Sequence, residues 1–289
     1  MLDKIIKGLA YNGRVSIVAM ESTNLCEEAR KIHNLSPVCT AAFGRLLTMT
    51  ALIGCEMKSN DNKLTIQIKG NGPIGSMLTV SDNTPTVKGY VINPAVDLPL
   101  NEFGKLDVSG AVGNQGFIHV VKDIGLKDPY IGISPIVSGE IAEDFANYFL
   151  NSEQTNSAVA LGVLVDKNGV KKAGGYIINP MPDATDEDIS YLEKSIFEAG
   201  SVSKMLENNM NIEEIAIKVT GDKRLKIVER NENAKYQCDC NKERMEKALI
   251  ALGKKELQKI IEEDGKLEMS CHFCNQKYNF EKEELLKLI

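Results

Sequence analysis

Residues 236–240 read Tyr236-Gln237-Cys238-Asp239-Cys240, and residues 271–274 read Cys271-His272-Phe273-Cys274. These two stretches hold four of the seven cysteines, as a C-x-C and a C-x-x-C pair. In a chain with nothing secretory about it, such pairs read as metal ligands or redox thiols before they read as a disulfide framework. Four thiolates complete a tetrahedral zinc site, with each pair gripping the ion from its own turn. Between the pairs, Met245, Leu249 and Leu252 share a helical face that Gly253 can cap. Leu257, Ile260 and Ile261 repeat the pattern up to the turn signal Asp264-Gly265. Residues 267–270 then read as a strand into Cys271, 278–280 as its partner, and 281–289 as a last short helix.

The spacing leaves two readings open. One is a closed structural zinc knuckle, in which metal binding supplies folding energy on the order of 10 kcal/mol to a tail with little core of its own. The other is a removable clamp. C-x-C is shorter than the pairs most structural sites use, and each pair is close enough in sequence to form its own disulfide once the metal leaves.

Outward from the tail, 289 residues favour two domains, the larger with ample material for a core. The net charge of −6 argues against a nucleic-acid partner. The first ten residues hold no uninterrupted apolar run, so no signal peptide is expected, and no stretch is expected to approach a membrane-spanning length. The expected compartment is the cytoplasm.

Residues 14–21 read as a strand and 24–33 as a helix. Ser36-Pro37 starts a second helix, rich in Ala, Leu and Met, that can run to Met57. Cys26, Cys39 and Cys55 fall in these helices without paired spacing and are expected to be buried structural thiols. Strands are expected over 64–69, 76–82, 86–92, 105–108 and 117–122. Gly70-Asn71-Gly72-Pro73-Ile74-Gly75 matches G-x-G-x-x-G, but a strand follows where a dinucleotide site needs a helix, so a β-turn is the reading and no nucleotide cofactor is expected. His119 is expected to be structural. Ser138-Gly139 is expected to cap a helix over 140–150, and strands over 157–165 and 173–178 flank the turn at 166–169. Grouped strands and helices indicate α+β: mixed or antiparallel sheets with packed helices. Thr185-Asp-Glu-Asp188 is a capping box ahead of the stripe Ile189, Leu192, Ile196, with short helical segments over 202–207 and 211–217. Helices this short are marginal alone. The expected domains are a core over 1–180, a weakly held helical linker over 181–230, and a small zinc-binding unit over 231–289.

The chain resembles a family of bacterial redox-regulated heat-shock chaperones, the thirty-three kilodalton heat-shock proteins, over essentially its whole length. The tail carries Cys238-Asp-Cys240, Asn241-Lys-Glu-Arg244, Ala251-Leu-Gly253, Cys271-His-Phe-Cys274-Asn275, Tyr278 and Phe280. The amino-terminal part carries Gly70-Asn-Gly-Pro73, Lys88-Gly-Tyr90, Ser138-Gly-Glu-Ile-Ala-Glu-Asp-Phe145, Ser152-Glu-Gln154 and Ala173-Gly-Gly175. The resemblance implies an ATP-independent holdase that is not an enzyme and whose partners are unfolding client proteins. It implies one zinc per chain on Cys238, Cys240, Cys271 and Cys274 in the inactive reduced form. It also implies disulfides Cys238–Cys240 and Cys271–Cys274 in the zinc-free active form, commonly as a homodimer. Two rival classes share the cysteines. A zinc-ribbon nucleic-acid binder needs a basic, aromatic face, whereas this tail mixes its lysines with Glu256, Glu262, Glu263, Glu268, Glu281, Glu283 and Glu284. A thiol–disulfide oxidoreductase needs C-x-x-C at a helix start in a βαβ unit, whereas Cys271 follows a strand.

Overall fold

Ser36 and Pro37 start the helix on which the larger unit is built. The Ser36 side chain accepts from the Cys39 amide at 3.3 Å, and Pro37 fills the first turn of α2 (Pro37–Gly54). Nearly every α2 residue is buried, so it needs cover on all sides. At 18 residues and mean hydropathy 1.3 it is long and apolar enough to cross a membrane, which corrects the sequence expectation. Being 89% buried, it is the core helix of this fold, and such helices pass the same test of length and composition.

The computed structural model describes residues 3–59 and 61–289. The strands of the larger unit are β1 (Asp3–Ala10), β2 (Val15–Glu21), β3 (Lys63–Gly70), β4 (Ser76–Ser81), β5 (Thr86–Val91), β6 (Gly116–Asp123), β7 (Tyr130–Pro135), β8 (Ala158–Asp166), β9 (Gly169–Pro180) and β10 (Lys226–Tyr236). They form one sheet in the order β7-β6-β3-β4-β5-β10-β1-β2-β9-β8. Neighbours run antiparallel except β10 and β5. The fold is thus α+β. One core lies between the sheet and α1 (Thr23–His33), α2, α3 (Val108–Val112) and α4 (Ala142–Ser152). After the glycine-rich turn β4 follows as a strand, as the rejection of a dinucleotide site requires.

Strand β2 is buried on both faces. Val18 and Met20 join the α2 core, while Val15, Ile17 and Ala19 enter a second core with Ile6, Tyr176 and Ile178. That second core is closed by α5 (Asp186–Ala199), α6 (Val202–Glu207) and α7 (Ile212–Thr220), through Leu192, Met205, Leu206, Ile215 and Val219. Helices too short to persist alone are therefore held by a packed layer. The chain separates into two compact units, Met1–Tyr236 and Gln237–Ile289, so positions 180 and 230 both fall inside the first.

Three strands have no counterpart in the sequence reading: β1, β7 and β10. Of these β10 matters most, because it joins the two halves of the sheet. Most of its residues are polar, and only Ala234 and Tyr236 are buried, with Ile227 packed partly against the second core. It is held instead by pairing to β1, by Lys4–Glu232 (2.9 Å) and Lys7–Glu229 (2.7 Å), and by Arg230–Glu213 from α7 (2.8 Å). At its far end it pairs with β5 through Lys235↔Thr86 and Tyr236↔Val87. There Tyr236 Oη donates to the Gly89 carbonyl (2.6 Å), accepts from the Gly89 amide (3.2 Å) and bonds His33 Nε2 (2.9 Å). Only glycine fits at 89, since a Cβ there would lie 2.4 Å from the Leu78 carbonyl oxygen.

Two local expectations are corrected. Residues 105–108 form no strand: Leu106 makes a single bridge to Leu100, and the Asp107 side chain then caps α3 by accepting from the Gly110 amide (2.8 Å). Ser138-Gly139 does not cap α4. Instead the Asp144 carboxylate, from inside the helix, ties down the loop ahead of it, accepting from the amides of Val137, Ser138, Gly139 and Ile141.

The capping box at Thr185 is present, and Asp188 does more than cap. Its carboxylate accepts from Arg14 Nε (2.7 Å) and Nη2 (2.8 Å) as well as from the Thr185 amide (3.0 Å), tying α5 to the loop before β2. The Arg14 guanidinium, then the Thr185 amide, hold this carboxyl well below the usual carboxylate range. A depressed folded pKa means the tie stabilises above the unfolded value of about 4 and is lost as pH falls through the folded one. Asp188→Asn should lower the thermal midpoint by a few degrees at neutral pH, with a gap to wild type that closes on acidification below about pH 4. An equal gap at pH 7 and at pH 2 would contradict this account.

Candidate metal centre

The second unit comprises α8 (Lys242–Leu252), α9 (Lys254–Glu263), β11 (Lys266–Ser270), β12 (Lys277–Glu281) and α10 (Lys282–Leu286). Asn241 caps α8 by accepting from the Arg244 amide (2.9 Å). Gly253, at φ 91°, breaks the chain between α8 and α9, a backbone conformation glycine adopts without strain. Among the described residues its buried apolar core is Leu249, Leu257, Ile261, Phe280 and Leu285. A core this small leaves a unit of this size marginal without a further staple.

Strands β11 and β12 pair antiparallel, with Ser270 opposite Lys277 and Met269 opposite Tyr278. The turn between them carries Cys271 and Cys274. It is closed by the Cys271 amide to the Gln276 carbonyl (2.9 Å) and the Asn275 amide to the Cys271 carbonyl (2.8 Å). Asn275 takes the left-handed conformation, φ 58°, that lets the turn reverse. Cys238 and Cys240 come from the irregular segment between β10 and the α8 cap.

All four sulfurs lie within 4.8 Å of one another. Cys238 Sγ is 3.7 Å from Cys271 Sγ, and Cys240 Sγ is 3.3 Å from Cys274 Sγ. A tetrahedron of thiolates about 2.3 Å from a central ion has edges of about 3.8 Å, so the spacing suits such a site. The structure thus brings together all four residues the sequence nominated, as a cluster that could hold a metal ion.

Their electrostatics point the same way. Burial first, then the adjoining thiols of Cys240 and Cys271, push the Cys238 thiol up. Cys274 is pushed up to about 11, again chiefly by burial. Cys240 falls below its ordinary value: burial opposes this, but hydrogen bonds from the Tyr278 hydroxyl (3.1 Å) and the neighbouring thiols outweigh it. Tyr278 rises in turn to about 12, chiefly through that bond to Cys240. Protein groups alone do not keep all the sulfurs charged. Nearby cations are already engaged, Arg244 with Asp239 and Lys242 with Glu284. Four crowded thiols of this kind fit a thiophilic divalent cation, whose charge would let all of them ionise.

Tyr278 is the site residue the sequence did not nominate. It stands 38 positions from Cys240, and no spacing rule links the two. The other cysteines lie apart from the site, in the first unit. Burial pushes Cys26 and Cys55 up to about 12 and raises Cys39, so they stay neutral thiols. The C-x-x-C pair lies in a hairpin turn, not at a helix start, which is not the oxidoreductase arrangement. Metal analysis of reduced protein should find about one divalent ion per chain. Cys→Ser at 238, 240, 271 or 274 should remove most of it, while Cys26→Ser, Cys39→Ser or Cys55→Ser should not. Full retention after loss of both Cys238 and Cys240 would overturn the assignment.

Known proteins bear on the whole chain. The family model described as Hsp33 protein matches residues 3–281. The chain is 46% identical over 289 residues to a 33 kDa chaperonin of Clostridioides difficile strain 630, covering 100% of this chain and 99% of that one. It is also 46% identical to a 33 kDa chaperonin of Thermoanaerobacter sp. strain X514, covering 100% and 98%. The crystal structure of the 33 kDa chaperonin (heat shock protein 33 homolog) from Thermotoga maritima superposes with a TM-score of 0.91 at 41% identity, over 100% of this chain and 98% of that one. Matches of this extent assign a family, and the chain belongs to the Hsp33 family of chaperones.

Proposed function

We propose that this chain is an ATP-independent holdase of the cytoplasm, switched on by oxidation of Cys238, Cys240, Cys271 and Cys274. The observation that carries the proposal is the clustering of four sulfurs within 4.8 Å in a unit with so small a core. Paired free thiols suit a reducing compartment. Membership of a chaperone family implies unfolded proteins as partners and a role other than catalysis.

A bound zinc ion, one per chain, supplies the positive charge that keeps four sulfurs as thiolates and ties two chain segments together. Thiolates are the form oxidants attack. One sulfur takes an oxygen from peroxide, becoming a sulfenic acid and releasing hydroxide. The second thiolate of the pair displaces another hydroxide and closes the disulfide, so each bond passes two electrons to one peroxide. The proposed bonds are Cys238–Cys240 and Cys271–Cys274. Contacts across the pairs also exist, Cys238–Cys271 at 3.7 Å and Cys240–Cys274 at 3.3 Å, but partners close in sequence stay near each other whatever the rest of the tail does as the metal leaves.

With the thiols consumed, the tail keeps only its small core, which is too little to hold it folded. Tyr236 ends β10, and Cys238 follows two residues later, so disorder in the tail reaches the central strand through the chain itself. In this proposal residues 1–180 are the chaperone core, 181–230 a metastable layer and 231–289 the switch. Release of α5–α7 would bare Ile6, Val15, Ile17, Tyr176 and Ile178, a contiguous apolar face suited to promiscuous clients or to a second copy, giving an oxidised homodimer.

Light scattering from a thermally aggregating client should fall with peroxide- or hypochlorite-treated protein, without ATP, and recover with reductant plus zinc. Equal activity in both redox states would remove the switch. Two truncations locate the restraint. Ending the chain after Tyr236 removes the tail and keeps β10, and should give a holdase active in reductant. Residues 183–225 should then be cut by protease about tenfold faster than in the full chain. If only truncation after Leu225 activates, β10 and not the tail holds the chaperone off.

A further inference from the structure

We propose that Tyr278 is a positioning residue that guards Cys240: its hydroxyl donates to the Cys240 sulfur and lowers the nucleophilicity of that sulfur. The contact is direct, with Tyr278 Oη 3.1 Å from Cys240 Sγ. The donor is also well aimed. Tyr278 is fixed opposite Met269 in the β11–β12 ladder. Two residues on, along the same strand face, Phe280 is fully buried in the core of the unit. The Lys242 ammonium lies 5.2 Å from the Phe280 ring centroid and bonds Glu284, pinning the same strand from the α8 side.

The chemistry follows from the inventory of donors. A phenol carries one proton and ordinarily holds it more tightly than a thiol does, so beside a thiolate the proton stays on oxygen and the sulfur accepts. A hydrogen bond to an anionic acceptor is charge-assisted and draws electron density from the lone pair that would attack an oxidant. The same lone pair binds the metal, and partners just outside the ligand set tune metal sites in this way. Removing the Tyr278 hydroxyl therefore frees that lone pair and speeds attack by Cys240 on an electrophile.

This inference rests on the reading of the four sulfurs as a metal centre, and cobalt(II) separates the two. Full-length reduced protein loaded with cobalt(II) should show the visible bands of a tetrahedral four-thiolate site in both wild type and Tyr278→Phe. Their absence from wild type would overturn the centre and this inference with it. With the bands present, the sulfur-to-cobalt charge-transfer band should move to lower energy in Tyr278→Phe, because the freed sulfur is richer in electrons. Iodoacetamide labelling of the zinc-loaded protein, read by peptide mass spectrometry, should speed up at Cys240 by about threefold to tenfold relative to Cys238 and Cys274. Met269→Leu, which alters packing across the strand but removes no hydroxyl, should leave both readouts unchanged. Should Tyr278→Phe fold poorly, 3,5-difluorotyrosine at 278 keeps the ring and strengthens the donor, and should move the band to higher energy. An unmoved band with unchanged Cys240 labelling would overturn the proposal, as would equal shifts in Met269→Leu.

Discussion

Four sulfurs within 4.8 Å of one another cannot all be charged unless a cation sits among them. In the second unit most else depends on that constraint. The turn at 271–276 and the segment 237–240 bring their sulfurs together, and the apolar core beside them is only a handful of buried side chains. A fold stabilised mainly at one charged point lasts as long as the charge there is balanced. Oxidation of these sulfurs would turn charged ligands into neutral pairs and remove that balance.

The larger unit is stabilised differently. Its helix α2 is apolar on every side and is covered by the sheet and by α1, α3 and α4, so its stability is spread over a continuous interior. The layer of α5–α7 sits on the opposite face and has its own core, separated from the first by the sheet. Separate cores allow separate fates. One layer can loosen while the other stays packed, which would suit the proposed exposure of apolar surface without unfolding throughout.

Features set by residues close in sequence were legible beforehand. Cys238-x-Cys240 and Cys271-x-x-Cys274, the Ser36-Pro37 helix start and the Thr185–Asp188 box all declare themselves within a few positions. The features that were missed depend on distant partners. Strand β10 carries little apolar residue to mark it, because β1, β5 and charges from α7 supply what holds it. The Ser138-Gly139 pair resembles a cap, yet the helix starts later, at Ala142, and Asp144 from within it holds the amides of the loop that carries the pair. Tyr278 meets Cys240 only because the hairpin delivers it there. The family resemblance added the identity of the chaperone, which spacing alone did not provide.

The fastening of β10 has a consequence for how the protein responds to its solution. Lys4–Glu232, Lys7–Glu229 and Arg230–Glu213 lie largely in contact with water, where dissolved ions screen them. The apolar layer of α5–α7 answers in the opposite sense, since salts excluded from protein surfaces strengthen its burial. Sulfate or phosphate would slacken the strand that leads to Cys238 while tightening the helices over β2. The same salts therefore act on the two parts of the larger unit in opposite senses.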